Sequence, residues 1–176
     1  MQFTTGTVRL SYAHLFEPHQ DPSGQDRYSC SLLIRKDSKD VERLKFAFQK
    51  ILEDPENIKK LGNSRNVDIP LRDGDEKDNP EYHGCFYLNA KAGVNHPPKI
   101  LDRDRVEIVD RSEVYSGCYV QASISLYVYN KGANRGIGVG LRGIRKIKDG
   151  EPLSGSTVTA SEFSDDLVKD DLDEFF

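Results

Sequence analysis

Apolar and polar residues alternate with a period of two over several separate stretches of the chain, and a period near 3.6 holds over one stretch only. In residues 5–12, Gly6, Val8, Leu10 and Tyr12 fall on one side and Thr5, Thr7, Arg9 and Ser11 on the other. This predicts a two-faced strand, with Gly6 and Tyr12 sharing the face of Val8 and Leu10. Residues 28–35 repeat the pattern with Tyr28, Cys30, Leu32 and Ile34, after a turn signal in residues 19–24. A strand over residues 84–91 sets Phe86, Leu88 and Ala90 against Tyr87, Asn89 and Lys91, and Asn95-His96-Pro97-Pro98 ends it. Residues 99–101 and 106–109 read as the arms of a charged turn. The sharpest alternation spans residues 119–129. Val120, Ala122, Ile124, Leu126 and Val128 face one way, and Tyr119, Gln121, Ser123, Ser125, Tyr127 and Tyr129 the other. A turn at residues 130–134 leads into a last strand, 136–148, rich in glycine and bases. The helical stretch opens at Asp37 or Ser38, either of which can cap it. Val41, Leu44, Phe48 and Ile51 form its apolar stripe, and Asp54-Pro55 is its stop.

Residues 54–83 read as a long polar insertion, punctuated by Gly62, Asn63, Pro70, Gly74 and Pro80, with a turn at Arg72-Asp73-Gly74-Asp75. Several strands, one helix and glycine-marked bends predict a mainly β, OB-fold-like five-stranded Greek-key barrel carrying one α-helix and a long insertion loop. Periodicity alone leaves another small sandwich open. The expected organisation is a domain over 1–148, a linker over 149–160 and a disordered acidic tail over 161–176.

Charge sharpens this division. The net charge of −4 hides a split, because residues 161–176 hold seven acids (Glu162, Asp165, Asp166, Asp170, Asp171, Asp173 and Glu174) and one base, Lys169. Removing them leaves 24 Lys and Arg against 22 Asp and Glu in residues 1–160, a body of +2 joined to a tail of −6. A pI near 5.6 argues against a nucleic-acid partner, and the split weakens that objection. No apolar run is long enough to span a bilayer, and the start lacks the basic-then-apolar order of a signal peptide, so no membrane role and a cytoplasmic location are expected. Cys30, Cys85 and Cys118 lack Cys-x-x-Cys spacing and read as small core residues in a reducing compartment.

The polar face of residues 119–129 is the most informative local feature. Single strands are held without sequence preference by aromatic side chains that stack on bases and by cations that neutralise phosphate. Tyr119, Tyr127 and Tyr129, with Tyr87 and Lys91, provide a candidate platform, and Arg9, Arg142, Arg145 and Lys146 a candidate backbone track. Tyrosine also simply suits a strand surface, which explains each one separately. The acids Asp73, Asp75, Glu76, Asp78 and Glu81 could hold a divalent cation for a nuclease, but they lack EF-hand spacing and turn chemistry accounts for them. His14, His19, His83 and His96 show no metal-ligand spacing beyond His83-Gly84-Cys85, a pair that lacks two further ligands nearby, and no cofactor or metal is expected.

Several segments together resemble a family of tailed-bacteriophage single-stranded DNA-binding proteins with an OB-fold core. They are Gly6-Thr7-Val8-Arg9-Leu10-Ser11-Tyr12-Ala13 with Phe16-Glu17-Pro18, Tyr28-Ser29-Cys30-Ser31-Leu32-Leu33-Ile34, and Pro70-Leu71-Arg72-Asp73-Gly74-Asp75 on to Tyr82. Tyr87-Leu88-Asn89-Ala90, Glu113-Val114-Tyr115-Ser116-Gly117-Cys118-Tyr119 and Asp149-Gly150-Glu151-Pro152-Leu153 continue the match in order. The end, Asp170-Asp171-Leu172-Asp173-Glu174-Phe175-Phe176, is similar to the acidic, aromatic-ended tails of replication-associated single-strand binders. The resemblance implies DNA protection and partner recruitment during phage replication or recombination, and the reading it completes is a non-enzymatic, sequence-independent binder of single strands in the bacterial host cytoplasm. It would protect single strands in phage replication and recombination, and recruit phage or host replication and recombination proteins through the tail. A homo-oligomer is compatible with it. Two rivals are a metal-dependent nuclease using Asp73, Asp75 and Asp78, and an interaction module whose acidic tail imitates DNA.

Overall fold

The computed structural model describes residues 1–62 and 66–153. The acidic tail and most of the segment read as a linker lie outside the described residues. In chain order the elements are β1 (Gln2–Gln20), β2 (Asp26–Arg35), α1 (Lys39–Glu53), α2 (Pro55–Leu61), β3 (Arg72–Asp73), β4 (Cys85–Gly93), β5 (Lys99–Leu101), β6 (Tyr119–Lys131) and β7 (Asn134–Lys148). Short 3-10 turns occupy Gly74–Glu76, Pro80–Tyr82 and Arg111–Glu113.

The strands form one sheet in the order β3-β4-β2-β1-β6-β7-β5, and a β4–β7 pairing at Lys91 and Gly140 closes it. The closed part, β1-β2-β4-β7-β6, is antiparallel apart from that seam, as expected for a small OB-type barrel. Its interior follows from the period of two. Leu10, Leu32 and Leu88 pair in one row across three strands, and all three are fully buried. Val120, Ala122, Ile124, Leu126 and Val128 of β6 face Ile144, Leu141, Val139 and Ile137 of β7 inside the barrel.

Ser38 caps α1 by accepting from the Asp40 amide, and Val41, Leu44, Phe48 and Ile51 are buried as their spacing predicts. The helix is tied to β1 through the buried Asp40 carboxylate, which accepts from the Gly6 amide at 2.8 Å and pairs with Arg43 at 2.6 Å. Around Gly6 the β1–β6 register slips between Thr4 and Thr7, and the Thr5 hydroxyl accepts from the Ala122 amide at 2.9 Å.

The structure corrects four expectations. The single helix is two. Asp54 ends α1 and also caps α2 by accepting from the Glu56 amide, and Pro55 sits at the first helical position, where its missing N–H costs nothing. A proline that stops one helix here starts the next. Residues 54–83 are therefore no irregular loop, because α2, β3 and two 3-10 turns fill much of the segment. Finally, Gly6 and Tyr12 do not face the core with Val8 and Leu10, since register slips on either side of Val8–Leu10 turn both outward. The second arm of the charged turn forms no strand either. Only a Leu101–Glu107 bridge remains, because the Asp102 carboxylate takes the amides of Asp104 and Val106.

Candidate nucleic-acid interface

Alternation along β6 leaves Tyr127 and Tyr129 outside the barrel, and their partners on β7 are glycines. Tyr127 pairs with Gly138, Tyr129 with Gly136 and Ser125 with Gly140. A Cβ on Gly138 would lie 2.5 Å from the Tyr127 ring, so the ring lies flat across the β7 backbone. Tyr127 remains 48% exposed. Tyr129 is more enclosed. Burial and the Asp68 carboxylate beside it raise its hydroxyl above the ordinary tyrosine pKa.

Barrel closure brings Asn89 and Lys91 of β4 alongside these rings, since Lys91 pairs with Gly140. The result is a cleft of about 500 Å³ walled by Tyr127, Tyr129, Asn89 and the segment from Asp68 to Arg72. Four cations, Arg27, Arg72, Lys91 and Lys131, line it against one carboxylate, Asp68. Arg72 pairs with Asp68 at 3.0 Å and Arg27 with Asp21 at 3.1 Å. Lys91 and Lys131 make no ion pair among the described residues. The cleft thus offers flat aromatic surface beside un-neutralised positive charge, the combination that holds a stacked, phosphate-bearing strand.

Of the residues proposed from sequence, Lys91, Tyr127 and Tyr129 line this cleft. Tyr87 stands at its edge, paired with Arg72. Arg9 and Tyr119 are paired on neighbouring strands, around the barrel. The Arg9 guanidinium sits 5.7 Å from the Tyr119 ring centre and donates to the carbonyls of Gly117 and Glu151, while Lys148 approaches the same ring at 4.7 Å. Arg142 and Arg145 border a second depression of about 310 Å³ with Lys99 and Arg105. Arg145 donates to the Arg103 carbonyl and to Gln121, so its donors are engaged although its charge is not neutralised. Lys146 pairs with Asp149 at 2.6 Å and lies over Tyr115.

Sequence reasoning missed Arg27, Arg72 and Lys131. For Arg27 the signal was available, because period two carried one residue past Tyr28 sets it outward with Ser29 and Ser31. Arg72 was hidden inside a segment read as a turn, and Lys131 inside a hairpin tip.

The acidic segment 73–81 is tied into the fold. Lys36 bridges Asp73 at 2.8 Å and Asp75 at 2.5 Å, Asp73 accepts from the Asp75 amide, and Asp75 accepts from the Gly84 amide. The Lys36 ammonium lowers both carboxyls below the ordinary range. Among the described residues no three His, Cys, Asp or Glu side chains are grouped to hold a metal ion. Cys30 and Cys118 are buried, and burial pushes the Cys30 thiol up to about 12.

The family described as "Enterobacter phage Enc34, ssDNA-binding protein" matches residues 1–175. A "Putative protein p50" of Acyrthosiphon pisum secondary endosymbiont phage 1 is 32% identical, over 95% of this chain and 94% of its own length. Among solved structures, the single-stranded DNA-binding protein from bacteriophage Enc34 is similar at TM-score 0.68 and 26% identity, covering 92% of this chain and 88% of that one. The same phage protein in complex with single-stranded DNA is similar at TM-score 0.66 and 27% identity, covering 87% and 89%. Gp2.5, the single-stranded DNA-binding protein of bacteriophage T7, shares the fold at TM-score 0.58 and 14% identity, covering 90% and 97%.

Proposed function

The chain belongs to the family of phage single-stranded DNA-binding proteins represented by that of Enterobacter phage Enc34, and on that premise we propose that it binds single-stranded DNA without sequence preference and without catalysis. The observation that carries the reading is the cleft between β4 and the β6–β7 hairpin. There the exposed Tyr127 ring lies beside Lys91 and Lys131, neither of them ion-paired among the described residues. A base stacks on Tyr127, Lys91 and Lys131 take the flanking phosphates, and Tyr129, Asn89 and Arg72 close the walls. Tyr87 extends the aromatic surface. Arg9, Tyr119, Arg142, Arg145 and Lys146 add positive or aromatic surface around the barrel, where a longer strand would run. No base-edge reader such as an exposed basic helix is needed, so discrimination is by strandedness and not by sequence.

Residues 1–148 form the binding domain in this reading, 149–160 the linker and 161–176 the tail. The tail, at −6, competes with DNA for the cations of the body. Its terminal Phe175 and Phe176, preceded by Asp170, Asp171, Asp173 and Glu174, serve as a docking peptide for replication or recombination proteins of the phage or its host. The protein works in the cytoplasm of the bacterial host.

The test is an equilibrium titration of the full chain, with Mg²⁺ present, against labelled single-stranded and duplex oligonucleotides of equal length. Preferential binding of the intact single strand supports the reading. Equal affinity for the duplex, or cleavage of the strand, refutes it.

A further inference from the structure

One aromatic cluster lies beyond the cleft, and it comes from the segment that sequence alone reads as an acidic loop. Tyr82, in the 3-10 turn at Pro80–Tyr82, is fully buried against the outside of the barrel, and its hydroxyl donates to Ser11 at 2.9 Å. Its ring stands 5.2 Å from that of Tyr87 and 6.3 Å from that of Tyr12. Tyr87 in turn is paired with Arg72, which lines the cleft. Three rings therefore lead in a row from the cleft edge across the outer face of β4, β2 and β1.

Two features of this row point to a ligand. Tyr12 has a φ of +45°, a left-handed value that a bulky L-residue adopts only under strain. The strain arises where the β1–β2 register slips between Ser11 and His14, and it sets a large aromatic ring 52% in solvent. The Asn79 amide reaches its hydroxyl at 3.4 Å. The second feature is Lys77. Its ammonium lies 5.2 Å from the ring centres of both Tyr82 and Tyr87 and 5.8 Å from that of Tyr12. Although Glu76 and Asp78 flank it in sequence, Lys77 makes no ion pair among the described residues. The support beneath is closely tied to the fold. Lys36 clamps Asp73 and Asp75, His83 bonds the Lys77 carbonyl at 2.8 Å, and a Cβ on Gly74 would strike the Tyr82 carbonyl oxygen at 2.1 Å.

We infer that single-stranded DNA leaving the cleft crosses Tyr87 onto a second platform, where Tyr12 stacks a further base and Lys77 takes the adjoining phosphate. This rests on the cleft reading and assigns to it a second subsite built from residues 72–87 and the β1 bulge. A strained, exposed tyrosine beside an un-neutralised cation suits a stacked nucleotide, because every base presents a π face and every linkage a negative charge. If the cluster only pinned the 74–83 segment to the sheet, Tyr12 would have no need to be exposed.

The experiment titrates the full chain, as wild type, Tyr12→Gly, Lys77→Gln and Tyr127→Ala, with oligo-dT from about 4 to about 16 nucleotides, the span of site sizes for one OB fold. Glycine adopts the Tyr12 backbone angle without strain, so Tyr12→Gly keeps the fold, and its melting temperature verifies this. The platform predicts unchanged affinity of Tyr12→Gly and Lys77→Gln for the shortest strands, which the cleft holds alone, and about a tenfold loss for the longest, the scale of one stacked base. An equal loss at every length would place both residues in the cleft's own subsite, and no loss at any length would make the cluster a structural clamp. Either result overturns the second platform. Tyr127→Ala reports separately on the cleft. If it is silent while Tyr12→Gly loses long-strand affinity, the cleft reading falls and Tyr12 is left as a DNA contact on a different path, which overturns the second platform as an extension of the cleft.

Discussion

The two faces of β6 have opposite fates although their residues alternate along one strand. Val120, Ala122, Ile124 and Leu126 are at most 1% exposed, packed against β7 inside the barrel. Tyr127, one position from two of the core residues, is 48% exposed and lies across a glycine. The inner face needs only apolar volume and shape. The outer face holds a large ring on a bare backbone beside lysines that make no ion pair among the described residues, an arrangement that fills no core volume. The proposed interface therefore predicts that stability and recognition are separable by single substitutions two residues or fewer apart.

The largest effect expected from breaking this comparison is on the inner face. Leu126→Ala should lower unfolding free energy by about 2–5 kcal/mol through a core cavity, measured by denaturant titration, while the fraction still folded binds single strands normally. Tyr127→Ala should do the reverse. It should weaken single-strand affinity by about 1–3 kcal/mol, read in a fluorescence or gel-shift titration, with the melting temperature nearly unchanged. If the tyrosine variant instead melts early and still binds, the assignment of the two faces is inverted. Gly138→Ala sharpens the comparison, because its methyl would enter the Tyr127 ring. It should reduce affinity without removing any contacting side chain.

Smaller effects concern charge. Lys91→Gln and Lys131→Gln should each flatten the dependence of log affinity on log salt by about 0.7, the contribution of one phosphate contact to a single strand. A slope unchanged in both variants would remove the two lysines from the backbone track. Deleting residues 161–176 should strengthen binding modestly at low salt and less as salt rises, because the Debye length falls to about 8 Å near physiological ionic strength. Removing only Phe175 and Phe176 should spare DNA affinity and abolish capture of replication proteins in a pull-down.

How far the sequence revealed this molecule depended on whether a feature is local. The β6 alternation was legible because both of its faces are uniform, and the α1 stripe because Ser38, Val41, Leu44, Phe48 and Ile51 all speak for one helix. Tyr12 was misplaced because strict alternation cannot register a bulge, and the slip between Ser11 and His14 shifts its phase. The second helix was lost because Pro55 reads equally as a stop or as a first residue, and only the Asp54 cap decides between them. The cleft was half legible. Lys91, Tyr127 and Tyr129 stand on well-patterned strands, whereas Arg27, Arg72 and Lys131 come from other segments that meet only when β4 pairs with β7. No local period encodes that closure.

The location of the site is the central claim, and photochemical cross-linking tests it most directly. The full chain is irradiated with a single strand carrying 5-iododeoxyuridine, digested, and the DNA-bearing peptides are identified by mass spectrometry. The account predicts cross-links on the β6 peptide that contains Tyr127 and Tyr129, and on the β4 peptide that contains Tyr87. Cross-links confined to α1 and α2, with none on β4 or β6, would contradict it.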